Sequence, residues 1–242
     1  VKRFVAILGA LALALAPALA GTFQPGFRGA PVAPVALSGT VYQVTASTFS
    51  PVTGAGGQAG DLMIVASYVW AQDGISASAT VNTPSGWTAI TSAGAFPGTN
   101  VSAGGLWYKY LNGTETASIG FWTTTGSSVT TYIQALRFTG GRGTISSVLT
   151  GQQWVSTNSS DTGTVASSGQ QVSQLLVGLA TRLGTTTSGI FTPTEDNVYA
   201  YGGTFNGKFY YRINNVTATT VRVQSSDSGN RQTISLAGAL AL

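Results

Sequence analysis

Seven carboxylates are all the acids this 242-residue chain has: Asp61, Asp73, Glu115, Asp161, Glu195, Asp196 and Asp227. It contains no histidine and no cysteine. Ser-His-Asp and Cys-His nucleophile systems, imidazole metal sites and thiolate zinc or iron–sulfur sites are therefore excluded. What remains is a carboxylate pair acting as acid and base on a glycosidic bond. The positions argue against it, because Asp61 opens an apolar run and Glu115 follows an Asn-Gly turn, where carboxylates serve solubility and turn geometry. A glycosidase is thus the remote alternative, and the chain is expected not to be an enzyme.

Glu195-Asp196-Asn197 is the only acidic cluster. Hard oxygen ligands of this kind suit Ca2+, and a plain polar loop is the competing reading, so neither a metal nor a cofactor is assigned. Gly54-Ala55-Gly56-Gly57 and Gly140-Gly141-Arg142-Gly143 lack the Lys-Ser/Thr of a phosphate loop and are turns. Asn100, Asn112, Asn158 and Asn215 fit Asn-x-Ser/Thr, a pattern that arises by chance in a chain this rich in hydroxyls.

Aromatic residues are the better candidates for recognition. Tyr199, Tyr201, Phe205, Phe209, Tyr210 and Tyr211 lie close together among glycines and asparagines. Rings beside amides suit stacking on a sugar face or a protein contact, which singles out Tyr199, Tyr201 and Phe205 as candidate ligand-binding residues. Phe209 and Tyr211 alternate with Tyr210 along a strand, so one set belongs to a core. Trp87, Trp107 and Trp154 read as core, with Trp70 and Trp122 open.

These residues must be positioned by strands. From Thr40 onward, short β-branched and aromatic runs are bounded by Gly, Asn, Ser or Pro, which is the strand-and-turn pattern. The runs are Val41–Thr48, Leu62–Trp70, Trp87–Thr91, Gly105–Leu111, Ala117–Thr123, Thr130–Phe138, Ile145–Val155, Gln174–Arg182, Gly207–Ile213, Thr217–Gln224 and Gln232–Leu240. Asn112-Gly113 reads as a two-residue hairpin turn, since both residues accept positive φ. In the run after Thr217, Val221 and Val223 share a face opposite Thr220 and Arg222. Such spacing predicts an all-β antiparallel sandwich.

The body also repeats itself. LMIVAS from Leu62 resembles LLVGLA from Leu175, Thr83-Pro84 resembles Thr192-Pro193, and LWYKYLNGTETASIGF from Leu106 resembles KFYYRINNVTATTVRV from Lys208. TYIQALRF from Thr131 and TISLAGAL from Thr233 close the two halves. The element order is kept while the spacing varies, which predicts two related halves, about 40–140 and 141–242, each on four core strands with extra edge strands. Packed face to face they make a jelly-roll-like β-sandwich.

The succession GDLMIVASYVW, TPSGWTAI, LWYKYLNGTETASIGF, YIQALRFTG and QLLVGLATR resembles the jelly-roll-type β-sandwich modules of bacteriophage and prophage structural proteins, found in tail fibres, tail tips and head appendages and also in secreted bacterial surface proteins. It spans Gly60 to Leu242. The resemblance implies a fold and an assembly or attachment role, with no catalytic residues.

Lys2 and Arg3 precede an apolar run to Ala16, then Pro17-Ala18-Leu19-Ala20 and Gly21, the order of a secretory signal peptide. Residues 21–39 carry Pro25, Pro31 and Pro34, which no helix or central strand tolerates. This reads as an extended arm whose Phe23, Phe27, Val32 and Val35 dock on the sandwich or on a neighbouring subunit. Only 7% of residues are charged and the net charge is +4, with no basic run or helix, so nucleic acid is not an expected partner. A membrane is reached only through residues 1–20 if they stay uncleaved.

The expectation is therefore an extracellular virion appendage or decoration protein that works as a homo-oligomer or with other virion proteins. The alternative is a secreted module that binds cell-surface glycan.

Overall fold

The computed structural model describes residues 36–38, 42–93, 98–125, 128–140, 147–157, 159–161, 165–166, 174–183, 188–192, 195–201, 205–214, 220–226 and 232–242. The signal-like segment and the arm residues Phe23, Phe27, Val32 and Val35 lie outside them. Contacts divide the chain at Val32/Ala33, and Ala33–Leu242 forms one compact unit.

All regular structure among the described residues is β. The first half contributes β1 (Ala36–Leu37), β2 (Tyr42–Val44), β3 (Thr48–Phe49), β4 (Leu62–Val81), β5 (Thr88–Ala93), β6 (Gly98–Tyr110), β7 (Ile119–Gly120), β8 (Trp122–Thr125) and β9 (Ser128–Thr139). The second contributes β10 (Ser147–Thr157), β11 (Ser159–Asp161), β12 (Val165–Ala166), β13 (Gln174–Leu183), β14 (Ser188–Thr192), β15 (Asn197–Tyr201), β16 (Phe205–Asn214), β17 (Thr220–Ser226) and β18 (Gln232–Ala241).

The duplication read from the sequence is present in the strand order. One sheet runs β1-β9-β4-β6-β5, with β2 also on β9, and another runs β10-β18-β13-β16-β15. These two inner sheets are built from corresponding strands in corresponding order, all antiparallel. Each half also has an outer layer. In the first, β3 pairs β7 and β8 pairs the end of β4. In the second, β11 and β12 follow one another along β17, which also pairs β14. The single long β4 therefore does the work that β13 and β14 share.

Register refines the alignment of the halves. Leu62 and Ile64 face Phe138 and Leu136 on one side and Tyr110 and Tyr108 on the other. Leu175 and Val177 face Leu240 and Gly238, and Ile213 and Tyr211. TYIQALRF and TISLAGAL thus correspond residue for residue. LWYKY and KFYYR are offset by one, Leu106 matching Phe209 rather than Lys208. Because side chains alternate faces, that one-residue slip decides which rings meet which core.

Three cores follow from the layers. Between the inner sheets lie Leu62, Ile64, Leu106, Leu136 and Phe138 of the first half with Leu175, Leu179, Phe209, Ile234 and Leu236 of the second. Phe49, Trp87, Trp107, Phe121 and Ile133 fill the space under the first outer layer. Phe191, Tyr210, Val221 and Val223 do so under the second, with Leu176 and Ala237. Trp70 is buried and Trp122 packs beside Val69 and Ala79; the Trp154 side chain is outside the description.

The C-terminal run from Ser235 is covered on both edges, since β18 lies between β10 and β13. Asn112-Gly113 does turn the chain, with Gly113 at φ +86°. It does not close a hairpin, however: β6 pairs β4 and β5, while β7 pairs β3. The turn instead carries the chain from the inner sheet to the outer layer.

Candidate functional site

Tyr199 sits on β15, an edge strand of the second inner sheet. Asp196 fixes the start of that strand: its Oδ2 accepts the Ile213 N–H at 2.7 Å, and its own N–H donates to the Tyr211 carbonyl at 2.9 Å. This carboxylate is thereby engaged by backbone. Among the described residues no group of three acids is placed to hold a metal ion, at Glu195-Asp196 or elsewhere.

The Tyr199 ring stacks on Tyr211 with centroids 6.2 Å apart and planes 9° apart, and Tyr211 meets Phe138 of the other half edge-on at 5.4 Å. Tyr199 is half-buried against the core between the inner sheets. Its hydroxyl accepts from Asn197 Nδ2 at 3.4 Å. Its backbone carbonyl accepts from Nε2 of Gln134, on β9 of the other half, at 3.2 Å. Much of this tyrosine is therefore spent joining the halves. The backbones of Tyr201 and Phe205 are placed opposite Gly207 and Leu183, while their side chains lie outside the description.

Two neighbouring phenols are held neutral. Burial, then Tyr199 and Asp196, push Tyr211 up to about 12. Burial, then the Glu195 charge, raises Tyr210 further; its ring stacks on Phe191 at 5.4 Å.

Asp61 and Glu115 are absorbed by turns. Asp61 Oδ2 accepts the Gln58 N–H at 3.0 Å and lies 4.0 Å from Arg137. Glu115 takes the Asn112 and Gly113 N–H groups at 3.0–3.2 Å and pairs with Lys109 at 3.0 Å. Burial opposes ionisation of Glu115, but those N–H groups and the ammonium outweigh it and hold the carboxyl below its ordinary value. The side chains of Asp73, Asp161 and Asp227 are outside the description.

No family model, no curated protein and no solved structure matches this chain.

The last part of the proline-containing arm, 36–38, is not free but joins the chain's own sheet. Ala36 and Leu37 pair with Thr139 and Phe138, and Ser38 donates its N–H to the Arg137 carbonyl at 2.7 Å. Among the described residues no helix is long and apolar enough to cross a membrane. The sequence reading missed Gln134, which stood inside a predicted strand with nothing to mark its contact across the core.

Proposed function

We propose that this chain is a non-enzymatic structural and attachment module, acting outside the cell on a virus particle by assembling with copies of itself or with other virion proteins. The observation that carries this reading is the repeated strand order. Counting strands along each half, with β4 serving twice and β1–β2, β7–β8 and β11–β12 each counted once, both inner sheets run 1-8-3-6-5 and both outer layers contain 2-7-4. Such interleaving of early and late strands within each half supports a jelly-roll reading, and with it the resemblance to phage structural modules through the fold. The chemistry agrees: Asp61, Glu115 and Asp196 each serve backbone geometry.

The secreted, glycan-binding alternative rests on Tyr199, Tyr201 and Phe205. The deciding experiment is the native mass of the full chain by mass spectrometry and light scattering. Concentration-dependent self-association, or recovery in particles, is the expected result. A monomer that binds immobilised glycan, and loses that binding on Tyr201→Ala, would replace this reading with the alternative.

A further inference from the structure

The two halves differ at one sheet edge. In the second half, β10 runs along the outer edge of β18 from Ser147–Ala241 to Thr157–Gln232. The corresponding edge of β9 is occupied by β2 at Ile133–Ala135 and by β1 at Phe138–Thr139. From Ser128 to Thr131, β9 pairs with β4 on one side, and no described residue pairs with it on the other. Position for position, Thr130 and Thr131 match Gln232 and Thr233, which β10 covers.

Among the described residues, neither neighbouring strand pairs with this edge. The ladder of β2 with β9 runs to Val44–Ile133, and after the bend at Thr45–Ser47 the chain joins the outer layer as β3. β1 pairs at the Thr139 end of β9, the far end from Ser128.

The open stretch reads Ser128-Val129-Thr130-Thr131, with three β-branched residues in four and no charge or proline. Its ladder with β4 is unbroken from Leu62–Phe138 to Gln72–Ser128. Val129, 41% exposed, is the only exposed large hydrophobic among the described residues. Other edges carry the usual safeguards against strand addition: β5 has an irregularity between Ala89 and Thr91, β10 has one between Val148 and Thr150, and β15 follows Glu195-Asp196. An uncharged β-branched strand is also complementary to itself, since antiparallel pairing sets Val129 against Thr131.

We propose that the Ser128–Thr131 edge is a self-association surface, where two copies pair antiparallel about a twofold axis at Thr130 and make one continuous sheet. The inference rests on the assembly reading above and names the edge that performs it. Centred on Thr130, the contact joins Val129–Thr131 of the two copies and is small, so the pair of copies forms and dissociates readily.

Because the chain has no cysteine, a single introduced thiol reports the contact cleanly. In a twofold pairing centred on Thr130, Thr130→Cys faces its own copy at a spacing a disulfide can bridge. Mild oxidation of the full-length Thr130→Cys protein is expected to give a covalent dimer on a non-reducing gel, well above that of a control Thr123→Cys, exposed on β8. Val129→Lys, with its circular dichroism unchanged, is expected to weaken association at least about tenfold by light scattering. An oligomer that neither cross-links at Thr130 nor responds to Val129→Lys overturns the edge and leaves the assembly reading standing. A wild-type chain that stays monomeric at all concentrations overturns both.

Discussion

Nε2 of Gln134 donates to the backbone carbonyl of Tyr199 at 3.2 Å, tying β9 of the first half to β15 of the second across their shared core. Gln134 is fully buried, and its Oε1 meets no hydrogen-bond donor among the described residues. The duplicate position in the second half is Leu236.

Gln134→Leu is therefore expected to be mild. It removes one hydrogen bond, but it also removes a buried carbonyl oxygen that gains nothing, so stability should stay within about 1 kcal/mol of wild type. Gln134→Ala leaves a hole as well and should cost about 2–3 kcal/mol. Urea unfolding of the two variants measures both; equal losses would mean that the amide itself holds the halves in place.

Gly104 and Gly207 occupy matching positions on β6 and β16 and should respond differently to alanine. A Cβ at Gly104 would sit 3.5 Å from Ile234, an ordinary contact, whereas one at Gly207 would clash with the hydroxyl and Cζ of Tyr68. Gly104→Ala should be nearly neutral and Gly207→Ala should cost about 1–3 kcal/mol. Tyr68→Leu should be less destabilising in the Gly207→Ala background than alone, which a double-mutant cycle detects.

Glu115 makes the turn after β6 sensitive to acid. Its folded-state carboxyl titrates below its ordinary value, so its contribution is present above the unfolded carboxylate range and is lost as pH falls through the folded value. Glu115→Gln should cost about 0.5–1 kcal/mol near neutral pH. The difference from wild type should vanish in acid, as thermal melts across the pH range would reveal.

The buried phenols set an alkaline limit. Tyr211, pushed up to about 12, and the more strongly raised Tyr210 favour the protonated form in the folded chain. Their stabilisation is complete below the ordinary tyrosine value and is lost as pH climbs above it. In an ultraviolet titration, Tyr210→Phe should leave the early tyrosinate signal unchanged and remove signal only from the alkaline unfolding step.

Much of this architecture was legible because strand alternation and turn residues are local signals. Val221 and Val223 point to one core with Thr220 and Arg222 outside it, as their spacing predicted. Repeated segments revealed the halves for the same reason. Pairing was less legible. Leu62–Trp70 was read as ending at Trp70, yet β4 continues to Val81, because the stretch after it, with its Gly74 and small residues, is held by partners on β6 and β8 rather than by its own hydrophobic pattern. Asn112-Gly113 announced a reversal without saying whether its flanking strands pair or part. Nothing near Tyr199 in sequence marks its stacking on Tyr211 or the bond from Gln134 to its carbonyl.

The core between the inner sheets has one further consequence. In an ordinary dimer, partners joined through such a face separate on dilution, since each must find the other in solution. Here one polypeptide carries both, so their encounter is intramolecular and its effective concentration is set by the connecting chain. The halves stay together at any dilution, and their mutual contact is relieved of the translational cost that two free molecules would meet each time they joined.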